Sequence, residues 1–102
     1  MSREPQAVRH VVVHGRVHGV GFRAWAERAA LTCGLEGWVR NRRDGTVEAV
    51  FAGPPEAVTA MIEACRKGPP LAAVERVETR DAGPADLKLR RPSERFSMIA
   101  TV

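Results

Sequence analysis

The sequence predicts an α+β fold in the order strand, helix, strand, strand, helix, strand, with an antiparallel sheet carrying two helices on one face. Three observations predict it. A β-branched stretch, Val8 with Val11 to Val13, runs into a glycine-rich turn and then into apolar residues at helical spacing. Two apolar arms flank Asp44-Gly45, where Gly accepts φ > 0 and Asp can bond its own backbone, so the pair reads as a hairpin turn. A second apolar helical face lies between Gly53-Pro54-Pro55 and Gly68-Pro69-Pro70, residues that start and stop helices.

Taken in order, residues 7–14 form the first strand. Residues 22–33 form a helix with Phe22, Ala26, Ala29, Ala30 and Cys33 on one face and Gly34 as the residue that ends it. The hairpin arms are 35–41 and 46–52. The second helix places Val58, Met61, Ile62 and Cys65 on its apolar side. Residues 73–80 alternate loosely around Val74 and Val77 and form a further strand, and 96–102 form the last one. Between them, residues 81–94 hold Pro84, Pro92 and several charges and read as a long solvated loop with a short extended piece. This order is the split βαβ, or ferredoxin-like, arrangement. A chain of 102 residues fits one domain over 1–102, with Met1 to Gln6 as a polar lead-in.

The first chemical feature is the run Gly15-Arg16-Val17-His18-Gly19-Val20-Gly21-Phe22-Arg23 at the junction of strand and helix. Its glycines let the backbone approach a ligand, and the helix start adds unpaired N–H groups and the positive end of the helix dipole. Arg23 offers a planar fork of donors that can grip two phosphate oxygens. Together they make a phosphate cradle with an arginine at its rim. Glycine-rich turns also occur simply as tight connections, and this one lacks the Gly-Lys-Ser/Thr of a P-loop and the spacing of a dinucleotide-binding turn. The loop by itself therefore leaves both readings open. The second feature is Gly37-Trp38-Val39-Arg40-Asn41-Arg42-Arg43-Asp44-Gly45-Thr46-Val47-Glu48, with Asn41 where the first arm meets the turn. Alone, Asn41 reads as a turn residue satisfied by local backbone.

Together, and in this order and spacing, the two motifs closely resemble the small acylphosphatases. The resemblance extends over nearly all of the chain, including Gly68-Pro69-Pro70 and the strand near Phe96. It implies hydrolysis of the carboxyl-phosphate bond of small acyl phosphates, giving a carboxylate and inorganic phosphate, without cofactor or metal. It further implies that the loop Arg16, Val17, His18, Gly19, Val20, Gly21 and Phe22 binds phosphate through backbone amides. By the same resemblance Arg23 holds the phosphoryl group and Asn41 positions the attacking water. This chain has His18 where the family usually has Gln. Binding through the backbone amide at 18 tolerates that change, and this is the reading favoured here. An imidazole turned into the site would instead add charge below neutral pH.

Composition sets the remaining expectations. The net charge of +4 and pI near 10.0 favour anionic partners. Arg16, Arg23, Arg40, Arg42 and Arg43 lie in or beside the two motifs, with Arg40, Arg42 and Arg43 read as a solvated, steering face. Trp38 and Phe22 are expected in the core. His10 and His14 are four apart on a strand, about 13 Å at roughly 3.3 Å per residue, too far to share an ion. Glu27, Glu36 and Glu48 have no metal-ligand spacing either. Cys33 and Cys65, both on apolar helix faces, read as free buried thiols of a reducing compartment. No apolar run is long enough to span a bilayer and no signal-peptide core is seen, so a cytoplasmic location without a membrane partner is expected. A monomer is the simplest expectation, and no nucleic-acid partner is expected. Two other classes compete: a nucleic-acid-binding module and a non-catalytic phosphate- or anion-binding module. The first usually shows aromatics on its central strands for base stacking. Three Phe, two Trp and no Tyr argue against it.

Overall fold

The computed structural model describes residues 6–102, so of the polar lead-in only Gln6 is seen and Met1 to Pro5 lie outside the described residues. β1 (Ala7–Arg16) leads through the glycine-rich loop into α1 (Phe22–Thr32). β2 (Glu36–Asn41) and β3 (Val47–Gly53) are the hairpin, α2 (Pro55–Cys65) follows, and β4 (Ala73–Asp81) and β5 (Phe96–Met98) complete the sheet. The spatial order is β4-β1-β3-β2-β5. The β1–β3, β1–β4 and β2–β3 pairs are antiparallel, which gives the ferredoxin-like core expected from the sequence.

Strand alternation sorts the side chains onto two faces. Val11 and Val13 of β1, Val39 of β2, and Val47, Ala49 and Phe51 of β3 share a buried core with Phe22, Ala26 and Ala30 of α1 and Val58, Met61, Ile62 and Cys65 of α2. Phe51 and Phe96 stack inside it, centroids 5.7 Å apart. The other face of the sheet carries His10, Trp38, Arg40, Glu48 and Glu78.

Four expectations require correction. The sheet is mixed: β5 runs parallel to β2, with Val39 opposite Met98. It covers only 96–98 rather than 96–102, although the chain beyond it still bonds along β2, through Ile99 N–H to the Val39 carbonyl at 3.0 Å and Val102 N–H to the Asn41 carbonyl at 3.2 Å. The 81–94 segment is not a plain solvated loop. It contains a 3₁₀ helix (Pro84–Leu89) that meets the helix-free face of the sheet, where the Trp38 indole N–H donates to the Asp86 carbonyl at 2.7 Å. That crossing carries the chain from β4 at one edge of the sheet to β5 at the other, beside β2. Trp38 is buried as expected, but under this segment rather than between sheet and helices.

The fourth correction concerns the cysteines. Cys65 is buried, and burial pushes its thiol up to about 12, so it is inert at neutral pH. Cys33 is exposed. The helix stops at Thr32, Gly34 turns the chain at φ 73°, and Leu35 takes the buried position that a further helical turn would have offered Cys33. Among the described residues no helix is long and apolar enough to cross a membrane.

Candidate active site

The site forms where the β1–α1 loop faces the end of the hairpin. Gly19 and Gly21 adopt φ of 71° and 78°, and a Cβ built at either would meet nothing within 4 Å. Their constraint is thus conformational rather than spatial: this backbone path is costly for any residue with a side chain. Gly21 is also the N-cap of α1, its carbonyl accepting the Trp25 N–H at 3.0 Å. The N–H groups of Phe22, Arg23 and Ala24 are left without intrahelical partners. No acidic residue sits in the first turn of α1, so nothing within the helix neutralises this positive end.

Those three residues, with Val17, Gly19, Gly21, Asn41 and Met98, line one open cleft of about 220 Å³. Arg23 and Asn41 come from separate elements and meet here because β1 and β2 both pair with β3. Among the described residues no carboxylate lines the cleft, which leaves the half-buried Arg23 guanidinium for a ligand.

The other loop residues stand differently. Arg16 is exposed at the end of β1, opposite Ala73, and Val20 packs against the core. The His18 side chain turns to the hairpin, where its Nε2–H donates to the Thr46 carbonyl at 2.8 Å. Thr46 also accepts the Arg42 N–H at 2.9 Å and is tied to Asp44, whose Oδ1 accepts its N–H at 2.9 Å and its hydroxyl at 2.6 Å. His18 thereby joins loop to hairpin, and the hydrogen bonds from Thr46 hold the Asp44 carboxyl below its ordinary range. His10 pairs with Glu48 and His14 with Glu78, so the two histidines serve different carboxylates.

Reading Arg40 and Arg42 as a solvated steering face was wrong. Arg40 Nε bonds Glu48 Oε1 at 2.7 Å with its guanidinium 4.8 Å from the Trp38 ring, and Arg42 bonds Glu48 Oε2 at 3.1 Å. Both belong to a partly buried ion cluster on the helix-free face. Arg16 and Arg43 are exposed, and Arg23 lines the cleft. Sequence reasoning also missed Ala24 and Met98 as lining residues. Ala24 could have been found as the next residue after Arg23 at the helix start. Met98 could not, because only the parallel β2–β5 pairing brings it beside Asn41.

A sequence model of the acylphosphatase family matches residues 9–97. The chain belongs to the acylphosphatase family. An acylphosphatase of Bradyrhizobium diazoefficiens is 54% identical over 102 residues, which covers 100% of both chains. Among solved structures, an acylphosphatase from Coxiella burnetii superposes with a TM-score of 0.83 at 30% identity, covering 97% of this chain and 100% of that one. The acylphosphatase from Bacillus subtilis gives 0.78 at 33% identity, over 93% of this chain and 99% of that one. The chain is accordingly an enzyme of acylphosphatase type: it hydrolyses acyl phosphate to carboxylate and phosphate.

Glu48 also gives the fold a dependence on acid. Burial would push its carboxyl up, but the hydrogen bonds from His10, Arg40 and Arg42 outweigh that and bring it from 4.5 down to about 2. Between those values the unfolded chain binds the proton and the folded one does not. The stabilisation is therefore fully present above about pH 4.5 and is lost as pH falls through about 2. Urea unfolding followed from pH 6 down to pH 2 should show stability falling across this window, and a Glu48→Gln chain should lose part of that slope.

Proposed function

We propose that the backbone amides of residues 16–22 and the Arg23 guanidinium hold the phosphoryl group of the acyl phosphate while Asn41 places the water that attacks it. The observation that carries this reading is the meeting of Arg23, Asn41 and the glycine loop in one cleft, with no carboxylate among the described residues that line it. An acyl phosphate already has a good leaving group, so catalysis rests on positioning and on stabilising charge at the equatorial oxygens. Water attacks phosphorus, the bond between phosphorus and the acyl oxygen breaks, and the electron pair leaves with the carboxylate. Of the residues lining the cleft none is a general base at neutral pH. The second proton of the water then passes to a phosphoryl oxygen, giving dihydrogen phosphate, so charge and atoms balance. Among the described residues no Ser or Cys lines the cleft to form a phosphoenzyme.

Hydrolysis in ¹⁸O-labelled water, with a chelator present, tests the mechanism. Attack at phosphorus places the label in inorganic phosphate and none in the carboxylate. Label in the carboxylate would mean attack at the carbonyl and would remove Asn41 from its role. The same reading takes 1–102 as one catalytic domain. It also takes the chain as a monomer, and as cytoplasmic, a location that two free cysteines suit.

A further inference from the structure

We propose that Glu48 is a positioning residue for Asn41, acting from the opposite face of the sheet; this rests on the water-placing role of Asn41 above. Asn41 is the last residue of β2, directly before an exposed turn, where a strand end would ordinarily fray. Its side chain reaches the cleft. Arg40, the preceding strand residue, sends its side chain to the other face by strand alternation, and Arg42, the first residue past the strand, turns to that face as well. Both end on one carboxylate. Glu48 stands opposite Arg40 in the β2–β3 register, takes Arg40 Nε on Oε1 at 2.7 Å, and takes Arg42 on Oε2 at 3.1 Å.

The carboxylate itself is anchored. Glu48 is 5% exposed, in the middle strand of the sheet, and its Oε2 also meets His10 Nε2 at 2.7 Å on β1, the strand that runs into the phosphate loop. Arg40 is fixed further by lying over the Trp38 ring. Asn41 is thus held between two guanidinium groups tied to one buried acid. A strand residue with both neighbours clamped on one face has little freedom to twist its own side chain away from the other. An in-line water needs that restraint, since a displacement of about 1 Å can cost about 10²-fold in rate.

The test is a double-mutant cycle in which kcat and inhibition by inorganic phosphate are read separately. Glu48→Gln should lower kcat about tenfold or more while the phosphate inhibition constant stays within about twofold, the split expected when binding is kept and reaction geometry is lost. Combined with Asn41→Ala, it should cost nothing further, because the residue it positions is gone. Arg42→Met, which removes one arm and leaves His10 and Arg40 on Glu48, should lower kcat in the same direction by a smaller factor. It carries the test by itself if Glu48→Gln does not fold. Losses that multiply in the double variant, or an unchanged kcat in either single variant, would overturn the proposal while leaving the Asn41 reading intact. If Asn41→Ala itself keeps full kcat, the Asn41 reading fails first and the clamp with it.

Discussion

Arg23→Ala should lower kcat/KM for an acyl phosphate by about 10³-fold or more, the scale at which a guanidinium stabilising a transferring phosphoryl group acts. Among the described residues no other cationic side chain lines the cleft to take its place. Inhibition by inorganic phosphate should be largely lost with it, because the same guanidinium would grip the product. The fold should be unaffected. Arg23 is half-buried at the start of α1, no carboxylate among the described residues lines the cleft beside it, and a substitution of that kind usually changes stability by no more than about 0.5 kcal/mol. Arg23→Lys should recover only a small part of the activity, since a point charge lacks the planar fork. Phosphate release and thermal unfolding measured on the same preparations check both halves. An Arg23→Ala chain that unfolds normally and still turns over at the wild-type rate would remove Arg23 from the site.

Asn41→Ala should produce the second largest effect and a different signature. Its amide would hold a water rather than the phosphoryl group, so kcat should fall by about 10²-fold while phosphate still binds within about threefold of its normal strength. The contrast with Arg23→Ala, where binding and turnover fall together, is what separates a water-placing group from a phosphate-binding one. Steady-state kinetics with phosphate as a competitive inhibitor provide both numbers. Equal weakening of phosphate binding and turnover would make Asn41 part of the anion cradle instead.

Much of the site was legible before any coordinates because its parts are local. The turn at Gly19 and Gly21 needs residues without a Cβ, helix start and strand end differ in period, and Asp44-Gly45 makes a hairpin turn with its own local bonds, Arg42 N–H to Thr46 and Thr46 N–H to Asp44. Arg23 and Asn41 stand in short contiguous motifs, so sequence alone could single them out. Charges were the harder part. Arg40 and Arg42 look the same as Arg43 in the sequence, all three being arginines beside a turn. Whether each faces water or Glu48 depends on the pairing of β2 with β3, and on His10 arriving from a third strand.

The order of the first helix and strands, the helix boundaries near Phe22 and Pro55, the hairpin and the two site motifs were determined by the sequence itself. Each depends on neighbours a few residues away, through backbone sterics, turn chemistry and hydrophobic period. The tertiary structure alone decided the parallel docking of β5, the burial of Trp38 under the 3₁₀ helix, the exposure of Cys33, the arrival of Met98 in the cleft and the ion cluster at Glu48. Nearly all of these depend on partners far away in the chain. No local period encodes such partners, because a side chain's free energy of burial or pairing is set by what the completed sheet brings against it.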